Sequence, residues 1–415
     1  MPGIGNKELT KRQFFTFSTL CCLVYFTSYI TRINYGAAIS EIVDSLKISN
    51  QLAGMAVTGS FITYGVGQPI CGFLGDRIKP RNMIFIGLLA TAICNLTISF
   101  MSNIYLMIFI WCFNGLFQAM LWPPLVRIMA QTLSDVNYRK TSIGVATAAS
   151  AGTIAVYLLV PFCILISGWR LSFIIPAIVG FLIALVWFFG VKEFTVPEPK
   201  VEEISIRNPV LTKTSTLIFA SGLLPIMLVI VFQGALRDGI TTWMPTYIQD
   251  VYHLSTSISI LSTAILPIFT IVSVAFATFV QRLVENELKT STYIWGTGFI
   301  ACMVLITLFA SNAVVSITLM AIITGCMHGI NLMLLSYLPL HFEKYGRVST
   351  MSGILNSFTY LGSAISIYGI ATLSEHLGWK FTIISWSVIA FMGTIICALC
   401  VRRWKRFTSE PANFL

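Results

Sequence analysis

Two arginines stand where a guanidinium is hardest to place. Arg32, in SYITRINYG, and Arg237, in FQGALRDGITTWMPTY, each fall inside a long apolar stretch. A charged side chain at the centre of a membrane-spanning helix costs roughly 2.5–3.5 kcal/mol on insertion scales, so such a residue marks a functional site by default. The guanidinium offers a planar fork of donors that matches two phosphate or carboxylate oxygens at once, and it keeps its proton. Two of them bring a charge of about +2, which a phosphate dianion would balance. The competing reading is structural, with each arginine buried in an ion pair. Asp238, beside Arg237, makes that reading concrete. It is the one acid in the central part of an expected span, and it either neutralises Arg237 until a ligand displaces it or carries a coupling proton.

Other polar residues fall at helical spacing. His328 and Asn331, three apart in GCMHGINLML, share one helix face, where either a packed, hydrogen-bonded histidine or a ligand contact is consistent with the pattern. Gly325 and Gly329 beside them permit close approach of another helix. Arg127 falls near the end of an apolar run, where a long side chain can snorkel, which favours a gating or structural role. Hydrolytic chemistry finds no support: the chain has neither HExxH nor a paired-carboxylate arrangement, and no GxxxxGK[ST] loop for a nucleotide. The ten cysteines lie in apolar runs without metal-ligand spacing and are read as free thiols packed as small hydrophobes. No metal, no cofactor and no enzymatic activity are expected.

The elements that must position these residues follow from composition. Of 415 residues, 56% are hydrophobic and only 10% charged, against about a quarter charged in a soluble domain. A bilayer core needs about 20 mainly apolar residues per helix. Runs of that kind occupy 13–42, 51–74, 83–101, 104–132, 141–167, 171–192, 215–249, 256–281, 291–310, 313–342, 348–374 and 379–401, twelve in all. The expectation is therefore an all-α membrane protein with twelve transmembrane helices: a six-helix bundle over 1–192, a cytoplasmic linker at 193–214 (EFTVPEPKVEEISIRNPVLTKT) and a second bundle over 215–415. Arg32 lies 19 residues after position 13 and Arg237 lies 22 after position 215, equivalent places in the two halves and similar depths. The two are therefore expected to face one another across a central cavity.

The net charge of +10 could suggest a nucleic-acid partner, but its placement argues otherwise. With the N-terminus inside, the loop and tail cations sort to the cytoplasmic side, leaving only Lys47, Arg170 and Lys380 outside. That bias favours both termini in the cytoplasm. The polar MPGIGNKELTKRQ runs into the first span without a small-residue cleavage site, so the first helix is expected to be its own insertion signal.

The six-plus-six plan resembles the major facilitator superfamily, whose halves are repeats with a substrate site between them near the bilayer midplane. Gly72-Phe73-Leu74-Gly75-Asp76-Arg77-Ile78-Lys79-Pro80-Arg81 is similar to that superfamily's loop between second and third helices. The resemblance implies that Asp76, Arg77 and Arg81 clamp neighbouring helix ends. Its second-half counterpart ATFVQR (277–282) lacks the acid, so a weaker clamp is expected there.

Four further segments resemble the organophosphate:phosphate antiporters, the family of glycerol-3-phosphate and hexose-phosphate transporters. They are YFTSYITRIN with Tyr25, Tyr29, Arg32 and Asn34; NGLFQAMLWPPLVRIM with Gln118, Trp122, Pro123, Pro124 and Arg127; ALRDGITTWMPTY; and NSFTYLGSAIS with Tyr360. The resemblance implies a substrate-binding set of Arg32, Arg237, Tyr25, Tyr29, Tyr64, Gln68, Gln118, Trp122, His328, Asn331 and Tyr360. It also has departures. Ile33 stands where the glycerol-phosphate transporter's first helix has Lys, Gln68 stands one turn after Tyr64 where its second helix has Lys, and the fifth-helix His is replaced near Thr153. The two arginines are left almost alone, and the ester cannot be carried over.

The resulting expectation is a monomeric secondary transporter in a cell inner or plasma membrane, exchanging an organophosphate for inorganic phosphate by alternating access. Its partners would be a small anionic substrate and the lipid bilayer, with no nucleic acid. A proton-coupled organic-anion symporter using Asp238 is the alternative on the same fold. A non-transporting sensor of phosphate esters is the alternative of another class.

Overall fold

In the computed structural model, residues 9–194, 214–254, 262 and 265–409 are described. The linker at 193–214 lies almost wholly outside them. Fourteen α-helices are found among the described residues, and no strand. Ten stretches among the described residues are long and apolar enough to cross a membrane. The other two expected spans, 51–74 and 348–374, are helical as well but more polar.

The chain divides into two compact units, one of residues 1–208 with 346–357, the other of residues 209–345 with 358–415. In the first unit the helices are α1 (Lys11–Ala37), α2 (Ile39–Leu46), α3 (Asn50–Gly75), α4 (Pro80–Ser99), α5 (Ile104–Gln118), α6 (Trp122–Thr132), α7 (Asp135–Ser167) and α8 (Leu171–Gly190). Their starts are chemically marked. Thr10 and Gln13 form a reciprocal capping box on α1, Ser49 caps α3 through Leu52 N, and Asn103 caps α5 through Tyr105 N and Leu106 N, each satisfying amides a first turn leaves without partners.

α1 packs on α7 and α8, α3 on α5, and α4 on α8. Tyr35, Trp111 and Phe173 form the aromatic centre of this unit, with ring centroids 5.2–5.9 Å apart. The expected spans 13–42 and 104–132 are each broken. α1 gives way to α2 at Ala38, and α5 gives way to α6 at 119–121, just before Pro123 and Pro124 in the first turn of α6, where prolines need no amide donor.

The second unit contains α9 (Thr214–Ser221), α10 (Leu223–Tyr252), α11 (Ile265–Val284), α12 (Glu287–Thr307), α13 (Ala313–Asn331) and most of α14 (Val348–Ser409). α13 is its hub, packing on α10, α11 and α12. The span expected at 215–249 breaks at Gly222, and the one expected at 313–342 leaves α-helical geometry after Asn331 for a π turn (Leu332–Tyr337) and a 3₁₀ segment (Leu338–Tyr345). π turns concentrate at functional sites in helices. The two last expected spans run together as α14 but turn at Gly378, whose φ of 81° is open to glycine and strained for other residues. All ten cysteines are unpaired, seven of them buried.

Candidate functional site

In the first unit the site is built on α1. Arg32 is half-buried, its guanidinium carbon 4.6 Å from the Tyr29 ring centre and 5.0 Å from that of Tyr64. Such distances are within the range of cation–π attraction. The aromatic wall extends from Tyr29 to Tyr25 at 5.3 Å and on to Trp122 at 4.9 Å, joining α1 to α6. Tyr64 accepts a 3.4 Å hydrogen bond from Asn356 Nδ2. One turn along α3, Gln68 is fully buried and neither of its amide atoms has a partner among the described residues. A buried amide in that condition needs water or ligand to satisfy it.

Beneath Arg32 lies an amide lattice that sequence reasoning mostly missed. Asn95 and Asn114 both donate to the Thr31 carbonyl, at 2.9 and 3.2 Å, and Asn34 donates to Asn95 Oδ1 at 2.8 Å. Gln118 donates to the Ser28 carbonyl at 3.1 Å and to Thr31 Oγ1 at 2.9 Å, and accepts from Ser28 Oγ at 2.7 Å. Gln118 was expected at the ligand; the structure turns its amide onto α1 instead, with no exposed surface. The sequence signal was available in part, since a span holding Asn95, Asn114 or Gln118 must hydrogen-bond them internally.

In the second unit the site joins α10, α13 and α14. Arg237 Nε and Nη2 donate to the two carboxylate oxygens of Asp238 at 2.7 and 2.8 Å. Arg237 Nη1 reaches Asn331 Oδ1 at 3.4 Å, and the Tyr360 ring lies 6.0 Å from the guanidinium. His328, half-buried on α13, is within electrostatic reach of both Arg237 and Asp238. Ser363, absent from the sequence expectation, donates to Asp238 Oδ2 at 2.5 Å. It follows Tyr360 by three residues, so the same helix face was legible.

The approach of α10 and α14 rests on two glycines: a Cβ on Gly234 would collide with the Thr359 carbonyl, and one on Gly362 with that of Val231. The structure thus gathers Arg32, Tyr25, Tyr29, Tyr64 and Trp122 in one unit, and Arg237, Asp238, His328, Asn331 and Tyr360 in the other.

The loop residues are placed separately. Asp76, at the end of α3, accepts the Ser349 and Thr350 amides at 2.9 Å each, capping the first turn of α14. Burial pushes its carboxyl above the usual carboxylate range, opposed by those hydrogen bonds and by Arg127. Arg127 donates to the carbonyls of Gly75 at 2.6 Å and Ile78 at 3.2 Å, tying α6 to the end of α3. Arg77 is exposed and lies 4.0 Å over Phe73. Arg81 donates to the Phe188 carbonyl at 2.9 Å, fixing the start of α4 to the end of α8. In the second unit Gln281 takes the place of Asp76 but accepts from Thr290 at 2.6 Å, while Glu287 supplies an acid nearby, with His341 Nε2 and Trp404 Nε1 each 3.2 Å from its oxygens.

Residues 21–367 match the Major Facilitator Superfamily. The chain belongs to that superfamily. It is a multi-pass membrane protein of a transporter family and not an enzyme. It is similar to the phosphoglycerate transporter protein of Salmonella typhimurium, 24% identical over 404 residues, covering 91% of this chain and 85% of that protein. It is also similar to a probable hexose phosphate transport protein of Chlamydia trachomatis, 28% identical over 190 residues, 44% of this chain but only 41% of that relative. Among solved structures, a proton:xylose symporter of the same superfamily superposes with a TM-score of 0.72 over 93% of this chain and 95% of its own, at 13% identity, a likeness of fold alone.

Proposed function

We propose that the protein is a secondary transporter that exchanges an organophosphate for inorganic phosphate by alternating access, with Arg32 and Arg237 binding the anionic group. One observation carries this reading: Arg32 is held half-buried on α1 against two tyrosine rings, whose centres lie 4.6 and 5.0 Å from its guanidinium carbon. The rings hold the guanidinium in place, and its planar fork of N–H donors matches two oxyanion oxygens at once. The names of the relatives, phosphoglycerate and hexose phosphate transporters, agree with a phosphate ester as the class.

Tyr25, Tyr29, Tyr64, Trp122 and Tyr360 supply walls for the organic part, and Gln68, His328 and Asn331 supply its hydrogen bonds. Asp76, Arg77, Arg81 and Arg127 act at helix ends as gating and structural residues. The two anion gradients provide the driving force. The protein works as a monomer in a cell inner or plasma membrane, as two six-helix bundles joined by the 193–214 linker, with both termini in the cytoplasm as its Lys and Arg placement favours.

A second reading, proton-coupled uptake of an organic anion, is favoured by one contact, the carboxylate of Asp238 lying on Arg237. Counterflow separates the two. Phosphate-loaded proteoliposomes accelerate uptake of a labelled phosphate ester if exchange is correct. Uptake driven by an inward proton gradient and indifferent to internal phosphate would replace exchange with symport.

A further inference from the structure

The proposed anion site contains an anion of its own. Asp238 covers the Nε and Nη2 side of Arg237 with both carboxylate oxygens, the side-on geometry in which a phosphate or carboxylate ligand would itself be held. Three features fix it there. Ser363 Oγ donates to Asp238 Oδ2 at 2.5 Å, and the Ser363 hydroxyl also lies 3.0 Å from the Thr359 carbonyl and 3.5 Å from that of Gly234. The glycine contacts of Gly234 with Thr359 and Gly362 with Val231 bring α14 close enough to α10 for that bond to form. Arg237 is the adjacent residue on the same helix, so the pair moves as one body.

We infer that Asp238 is a specificity-determining residue that cancels the charge of Arg237 and thereby sets the charge of the ligand the protein takes. The inference rests on the anion-binding reading of Arg32 and Arg237. With the carboxylate in place the Arg237–Asp238 pair is formally neutral, and the second negative charge of a dianion is bound against a resident carboxylate. The titratable and charged groups facing Asp238 among the described residues are Arg237 on its own helix and His328 from α13, while the Tyr360 ring of α14 lies 6.0 Å from the Arg237 guanidinium. A unit charge about 7 Å from a bound anion, at an effective dielectric of about 20, changes affinity more than tenfold for each ligand charge.

The test compares two probes differing by one methyl group and one charge: glycerol 3-phosphate, a dianion at pH 8, and its methyl diester, a monoanion. Affinities are measured by calorimetry on the purified full chain, and the readout is the ratio of dianion to monoanion affinity. Asp238→Asn is expected to raise that ratio at least tenfold over the unaltered protein. The double variant R237Q/D238N, which removes the pair together and leaves no lone buried charge, is expected to weaken both probes and keep the ratio within about threefold. The double variant is readable even if Asp238→Asn alone does not fold. A ratio unmoved by Asp238→Asn, or shifted tenfold toward the monoanion by R237Q/D238N, overturns the inference and leaves the anion-binding reading intact. Failure of the unaltered protein to bind either probe overturns both.

Discussion

Replacing Arg32 by Lys keeps one positive charge and removes the geometry that carries the proposed recognition. In the structure the guanidinium is fitted between two rings, 4.6 Å from Tyr29 and 5.0 Å from Tyr64. An ammonium is a compact point charge with no planar fork, so it can meet one oxyanion oxygen well but not two in parallel. One lost hydrogen bond to a charged group is worth about 1.5–3 kcal/mol, and the weaker fit to the rings adds about 0.5–1 kcal/mol at most. A loss of about 2–4 kcal/mol corresponds to ligand affinity falling roughly 30- to 1,000-fold, at tenfold per 1.4 kcal/mol. The assay is phosphate-ester binding and counterflow in proteoliposomes, with the melting temperature of the purified variant as a check on folding. Because Asn95, Asn114 and Gln118 bind the backbone and neighbouring side chains rather than the guanidinium, the fold is expected to tolerate the change. Uptake within threefold of the unaltered protein, at equal reconstitution, would refute direct contact between Arg32 and the ligand.

The glycine crossing of α10 and α14 allows a structural prediction. Gly234→Ala and Gly362→Ala each drive a methyl group into a backbone carbonyl, so each is expected to cost about 1–3 kcal/mol, read as a lowered melting temperature together with weakened anion binding in the same unit. Asp76 gives a pH dependence whose sign is fixed. Its carboxyl is held above the usual carboxylate range by burial, so the folded state binds the proton more tightly than the unfolded one. Stability contributed by this group is therefore highest at low pH and falls as pH rises through the interval between the ordinary and the raised value. Asp76→Asn is expected to flatten that slope in thermal melts. Asp76→Ala leaves the Ser349 and Thr350 amides without their acceptor and is expected to cost about 1–3 kcal/mol per amide left buried; melts that do not distinguish Asn from Ala would contradict the capping role.

Hydropathy alone determined that the chain crosses a membrane many times, while the caps at Thr10, Ser49, Asn103, Asn286 and Asn312 that open its helices came from the structure. The two intramembrane arginines were legible from hydropathy too: a charge in an apolar run marks either a functional site or a buried ion pair. Tertiary structure alone decided which way the polar side chains turn. A spanning helix is apolar toward lipid and toward its neighbours alike, so periodicity does not separate the two faces, and Gln118 read as a ligand contact when its amide is spent on Ser28 and Thr31. The same limit hid the Asn95 and Asn114 lattice, the bond from Ser363 to Asp238, and the π turn after Asn331. Each depends on residues far apart in the chain meeting at one place, and backbone groups there find their partners only once the helices are packed.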